Sequence, residues 1–211
     1  MLIYLATEKK TIAIDYREMA PAAAHRDMFL DAAGDVDNRL ARHSLQSSGV
    51  PGTVAGLLHA HDNYGVLELK QVMAPAIALA RNGFAMSVDL ATSLDSRYDR
   101  LTRNAATQGY FYKPDGKRYK PGEQWVQADL AATLRRIAKG GRDGFYGGQT
   151  AALIVAEMQR TGGLITRADL DNYRVVERAP VCGEFHQHQI CAMPPPSSGG
   201  VHLVQMLNIL E

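Results

Sequence analysis

Only two cysteines and one tryptophan occur among the 211 residues, and neither sign of charge is in excess, with 23 Lys and Arg against 22 Asp and Glu. Each shortage excludes something. Two cysteines cannot make a disulfide framework, so the chain must fold on a hydrophobic core. A formal charge of +1 gives no electrostatic reason to expect nucleic acid or an anionic membrane surface as a partner. No apolar run is long enough to span a bilayer. Met1–Ala6 is apolar but runs at once into Glu8-Lys9-Lys10, so it is not a secretion signal and reads as a strand already under way. No Gly-x-Ser-x-Gly elbow, no P-loop and no Gly-x-Gly-x-x-Gly turn is present, which removes the common serine-hydrolase and nucleotide signals.

What is present is ordinary globular composition, 46% hydrophobic and 21% charged, organised as helices between strands. Leu2–Ala6 and Thr11–Arg17 alternate around Thr7–Lys10 and predict a hairpin. Residues 19–49 are polar and predict loop with short helical pieces. Helices are expected at Thr53–Tyr64, stopped by Gly65, and at Glu68–Asn82, stopped by Gly83 and kinked or broken at Pro75. Ser87 can cap a helix over Val88–Leu101. The aromatic residues Tyr110, Phe111, Tyr112 and Tyr119 bracket Pro114-Asp115-Gly116 and read as strands around a turn. Further helices are expected at Gln127–Lys139 and Gln149–Arg160, with a short one opened by Thr166 and Asp169 as a capping box. Two or three strands follow in Arg174–Met193. The pattern is α+β, with terminal strands sharing a sheet, in a single partial domain over 1–211.

Cys182 and Cys191 flank a hairpin, Val181–Phe185 and Gln189–Met193, whose turn is centred on His186-Gln187. A bridge between them is geometrically open, but two free thiols are the expectation. The closing segment joins Pro194-Pro195-Pro196, expected to be extended, to Ser197 and Ser198 as cap donors of oxygen. The helix after Gly200 is apolar except at His202, Gln205 and Asn208, which predicts burial nearly all round. It ends without a stop signal, so both ends of the chain read as internal to something longer.

Few residues suggest chemistry by themselves. His59 and His61 point to different helix faces, and His186 and His188 sit at a hairpin tip, so no metal site is expected. Ser197–Gly200 could hold an anion on free N–H groups, although a turn-shaping cap is the simpler reading. Arg17 offers a planar fork of donors suited to a carboxylate at the end of a strand, while Asp15 two residues earlier could pair with it instead. From these residues alone the ion pair is favoured.

Five segments taken in order change that balance. They are Ile14-Asp15-Tyr16-Arg17-Glu18-Met19-Ala20-Pro21, Gly49-Val50-Pro51-Gly52-Thr53-Val54-Ala55-Gly56, Pro75–Phe84, Gly162–Leu170 and Pro194-Pro195-Pro196-Ser197-Ser198-Gly199-Gly200. Together they resemble the large-subunit part of the γ-glutamyltranspeptidase (glutathione hydrolase) family, in its bacterial form, over essentially the whole chain. The resemblance implies part of the αββα four-layer fold of the N-terminal-nucleophile hydrolases. It also implies a self-cleaving precursor whose small subunit begins with the nucleophilic Thr, and no metal or organic cofactor. The substrates implied are glutathione and other γ-glutamyl compounds, in a periplasmic or extracellular setting. Arg17 matches the family's arginine that binds the γ-glutamyl α-carboxylate, and this reverses the reading of it from ion pair to substrate binding. The family's Thr-Thr-His-x-Ser type segment has no counterpart here, so no catalytic residue is assigned and the chain alone is expected to be inactive. Two alternatives remain open at this stage, a cephalosporin or glutaryl acylase of the same superfamily and a non-catalytic γ-glutamyl-binding partial domain.

Overall fold

The computed structural model describes residues Met1–Glu211. Strands β1 (Leu2–Leu5) and β2 (Lys10–Asp15) open the chain, followed by helices α1 (Asn38–His43), α2 (Thr53–Tyr64) and α3 (Leu69–Asn82). The middle contains β3 (Phe84–Ala85), α4 (Val88–Ser96), α5 (Tyr98–Leu101), α6 (Ala105–Phe111), β4 (Gln124–Trp125) and α7 (Ala128–Gly140). Then come α8 (Asp143–Tyr146), α9 (Gly148–Thr161), α10 (Arg167–Asn172), β5 (Val176–Arg178), β6 (Val181–Phe185), β7 (His188–Ala192) and α11 (Gly199–Leu210). Two compact units result: Met1–Val66 with Phe145–Glu211, and Leu67–Gly144, which is nested within the first in sequence. No helix is long and apolar enough to cross a membrane.

The first unit is built on an antiparallel sheet ordered β1-β2-β5, so strands from the two ends of the chain do share a sheet. In β2, Ile12, Ala13 and Ile14 are all buried, on a strand that lies between two neighbours and packs against α2. Its core gathers Val50, Ala55, Tyr146, Ala151, Ile165, Leu170 and Tyr173. Leu170 is fully enclosed, which contributes about 1.5–3 kcal/mol relative to leaving it exposed. The Thr166–Asp169 capping box forms as expected. Thr166 Oγ1 accepts the Asp169 N–H at 3.2 Å, and Asp169 Oδ2 accepts the Thr166 N–H at 2.8 Å.

β6 and β7 form a separate hairpin that packs against α11. His186 and Gln187 occupy its turn with φ of 47° and 66°, the pair of positive values that a two-residue turn needs to match strand twist. Cys182 and Cys191 stand opposite each other in the register and are joined as a disulfide, which corrects the expectation of two free thiols. Direct opposition brings their Cα atoms to 4.2 Å, close to the separation of a non-hydrogen-bonded pair.

The end of the chain departs further from expectation. The Pro195–Pro196 bond is cis, and the Ser197 N–H donates to Pro194 O at 3.2 Å, so the proline run turns instead of extending. Ser198 takes helical dihedrals (φ −79°, ψ −22°), which carries its hydroxyl away from the cap position, and no side-chain cap forms. The expected all-round burial of α11 is absent, since Met206, Ile209 and Leu210 are 55%, 83% and 72% exposed. Hydropathy records what a helix would bury, whereas burial needs a surface to receive it.

The second unit is helical around two short strands. Pro75 lies inside α3 without breaking it, because its exposed position lets water satisfy the carbonyl one turn back. The Gln71 side chain accepts the Glu68 N–H at 3.2 Å at the start of this helix. Ser87 caps α4 through the Leu90 N–H at 3.1 Å, but the expected Val88–Leu101 helix divides at Arg97. Tyr110 and Phe111 lie at the end of helix α6, not in a strand. Asn104 Oδ1 accepts the Ala106 and Thr107 N–H groups at 2.9 and 3.2 Å and so starts a helix that overrides their strand preference. Within the aromatic stretch 109–125 only Gln124–Trp125 forms a strand, paired with Phe84–Ala85, and Trp125 packs edge-on against Phe84 at 5.7 Å.

Candidate functional site

β2 delivers the chain to the site. Its last residue, Asp15, is buried and uses both carboxylate oxygens: Oδ1 accepts the Arg17 N–H at 3.1 Å and Oδ2 accepts Arg178 Nε at 2.8 Å. Arg178 lies on β5 opposite Ala13, two positions along the ladder, and reaches Asp15 diagonally. Burial pushes the Asp15 carboxyl up, yet the Arg17 amide and the Arg178 guanidinium together hold it below the ordinary carboxylate value. The local Asp15–Arg17 ion pair suggested by sequence is therefore not made. Arg178 takes the charge, and Asp15 holds only the backbone of Arg17.

The strand ends at Asp15, so Arg17 lies just beyond it and not within it. Its carbonyl accepts the Tyr173 hydroxyl at 2.8 Å. With N–H and C=O both engaged, the main chain of Arg17 is fixed on either side of its Cα. Glycines make this approach possible. A Cβ on Gly52 would collide with Tyr16 O and Tyr173 Oη, and one on Gly56 would collide with the Tyr16 ring. Gly52 and Gly56 stand one helical turn apart at the start of α2, so its first turn lies directly against the strand exit.

The guanidinium is held loosely by comparison. Nη1 donates to Pro196 O at 3.2 Å and Nε to Glu18 Oε1 at 3.5 Å, with the side chain 57% exposed. It opens onto a cleft of about 580 Å³ whose walls come from Asp15–Glu18, from Gly49 and Pro51–Thr53, and from Pro196–Ser197. Three of the five sequence segments thus converge on one cavity. A fourth lies beside them, where Asp169 Oδ1 accepts the Ala22 N–H at 2.8 Å. Pro75–Phe84 belongs to the other unit.

A larger cavity of about 830 Å³ lies in residues 67–144. Its Lys113, Lys117 and Arg118 are paired with Glu123, Asp115 and Asp95, respectively. Volume alone would favour it. The smaller cleft presents a guanidinium without a buried counter-ion on a fixed main chain, and for that reason we place the candidate site there.

The histidines do not converge. His59 Nε2 lies 2.8 Å from Glu177 Oε1 and His61 Nδ1 lies 3.3 Å from Asp62 Oδ1, and no three metal-binding side chains gather. Sequence reasoning found Arg17 but missed Tyr173, which bonds it from 156 residues away, and Arg178, which pairs with Asp15 from 163 residues away. No local pattern marks such partners.

The family described as Gamma-glutamyltranspeptidase matches residues 1–211. The chain is 48% identical over 201 residues to the glutathione hydrolase proenzyme of Escherichia coli K12, covering 95% of this chain and 35% of that protein. It is 37% identical over 206 residues to the acylase ACY 1 proenzyme of Pseudomonas sp. SE83, covering 95% and 37%. Among solved structures it matches the γ-glutamyltranspeptidase of Helicobacter pylori with a TM-score of 0.97 at 42% identity, over 100% of this chain and 60% of that one. The chain thus spans about a third of the length of these curated relatives.

Proposed function

The chain belongs to the γ-glutamyltranspeptidase family, and from that premise we propose that it forms the large-subunit part of an enzyme acting on γ-glutamyl amides. Its α+β architecture is the corresponding part of the αββα N-terminal-nucleophile fold. The reaction we infer is attack of a small-subunit Thr on the γ-glutamyl amide of glutathione. The α-amine of that Thr acts as local base, and an acyl-enzyme is released to water, an amino acid or a peptide. Under this reading the partner is the small subunit carrying the Thr, and no metal or organic cofactor takes part.

Arg17 receives the α-carboxylate of the γ-glutamyl group. One observation carries this role: the main chain of Arg17 is tied at both ends while its guanidinium makes only long, solvent-exposed contacts. A carboxylate can replace those contacts with two parallel charge-assisted hydrogen bonds, at little cost in disrupted structure. The disulfide fits a periplasmic or extracellular location, where such bonds persist.

In the full-length enzyme, Arg17→Lys should raise KM for glutathione about tenfold or more while lowering kcat much less, since the lost interaction is made equally in the ground state. An unchanged KM removes Arg17 from the site. A second reading keeps the fold and makes the enzyme a cephalosporin or glutaryl acylase, and a relative named as an acylase proenzyme favours an acyl group other than γ-glutamyl. Relative kcat/KM on γ-glutamyl and glutaryl amides separates the two readings, because the glutaryl group keeps the carboxylate that Arg17 would bind and lacks only the α-amine.

A further inference from the structure

The near-neutral balance of the whole chain conceals a division. Residues 67–144 carry 13 Lys and Arg against 8 Asp and Glu, a formal +5, and the remaining residues carry 10 against 14, a formal −4. Within the basic unit, α3 and α7 pack together and leave a groove of about 340 Å³. Its floor is Ala74, Ile77, Ala78 and Ala138, and its rims are Lys70 and Arg81 on α3 with Arg135 and Lys139 on α7. No carboxylate lines it. Arg81 Nε bonds only the neighbouring amide of Asn82, at 3.1 Å, and no ion pair involves any of the four cations. The larger cavity of the same unit is different, since there three cations each have a carboxylate partner.

Four exposed like charges around one groove repel each other, and no carboxylate lining the groove or within ion-pair distance offsets that repulsion. We propose that the α3–α7 groove is a docking surface for an acidic helical segment of another polypeptide. Length argues for an extended partner. Lys70 and Arg81 are 11 residues apart on one helix, or about 16 Å, more than a single small anion can bridge. Shape argues for a helix. An alanine floor between two helices admits a third helix at close range, with its carboxylates meeting the cationic rims. A bilayer surface is too flat to reach the recessed floor, and no aromatic side chain lines the groove to stack a nucleic-acid base.

The test uses the full 211-residue chain and a labelled synthetic helix of about 18 residues, roughly 27 Å long, with glutamates flanking an alanine stripe. Fluorescence anisotropy should show binding at low ionic strength that weakens as salt rises. A peptide of the same composition with its glutamates spread around the helix should bind at least fivefold more weakly. Lys70→Glu with Arg135→Glu should lower affinity at least tenfold, and Lys139→Gln alone by a smaller factor. Lys117→Glu, at an exposed cation in the other cavity, should leave affinity within twofold, with circular dichroism unchanged in every variant. Absence of binding at low salt, equal binding of the two peptides, or an equal loss in Lys117→Glu overturns the proposal. So does binding of phosphatidylglycerol vesicles, duplex DNA or inorganic phosphate that depends on Lys70 and Arg135 when the peptide does not bind.

Discussion

Tyr146 performs a task that the sequence of α2 leaves undone. The helix begins after Gly52, which has no side chain to cap it, so the first-turn N–H groups need other acceptors. The Tyr146 hydroxyl accepts the Ala55 N–H at 3.2 Å and donates to Pro51 O at 2.6 Å, from a ring that is only 2% exposed. The substitution Tyr146→Phe removes one oxygen and keeps the ring, including its stacking on Tyr173 at 5.8 Å. The Ala55 N–H is buried, so losing its acceptor costs about 1–3 kcal/mol, and the partly buried Pro51 carbonyl adds about 0.5–1.5 kcal/mol. The expected loss is therefore about 2–4 kcal/mol, or roughly 5–15 °C in Tm for a chain of this size. Urea unfolding followed by tyrosine fluorescence measures it, and hydrogen exchange at Ala55 localises it. A Tm shift below about 1 °C, or unchanged protection of the Ala55 amide, would refute the assignment of this hydroxyl as the cap of α2.

Three further outcomes follow from other features. Asp15 has a lowered pKa, so it contributes stability above the ordinary carboxylate value near 3.9, and that contribution is lost as pH falls through its lower folded value. Asp15→Asn should flatten stability against pH in this acid range, and an unchanged slope would count against the Arg178 pairing. Reducing the Cys182–Cys191 bridge, which spans 9 residues, should lower stability by about 2–3 kcal/mol if it acts through loop closure. Equal denaturation midpoints with and without reductant would exclude that. Finally, Gly52→Ala should destabilise by more than the helix-favouring effect of Ala can offset, because its Cβ meets the Tyr16 carbonyl and Tyr173 Oη. A neutral or stabilising effect would show that α2 can shift away from the strand exit.

What could be read from the residues follows a physical boundary. The limits of α2 were legible because Gly52 and Gly65 punctuate a helical run, and the α10 cap because Thr166 and Asp169 carry their own bond pattern. Tyr110 and Phe111 prefer strands taken alone, but Asn104, six residues before Tyr110, caps a helix that overrides that preference. Arg17 could be found as a residue type in a motif. Its surroundings could not, since Asp15 meets Arg178 only after β5 has paired with β2, and pairing between distant strands leaves no local trace. The exposure of α11 belongs to the same class, because an apolar helix does not specify what will cover it.

The nesting of one unit inside the other also sets a timetable. During synthesis the first walls of the Arg17 cleft, through Thr53, emerge well before Pro196 and Ser197. At roughly 5–20 residues per second that interval is about 7–30 s. In that time residues 67–144 are complete and free to fold on their own contacts, while β2 still lacks β5 beside it. The cleft thus cannot close until well after the helical unit is complete, and any slow step in making residues 145–197 should delay substrate binding more than it delays the helical unit.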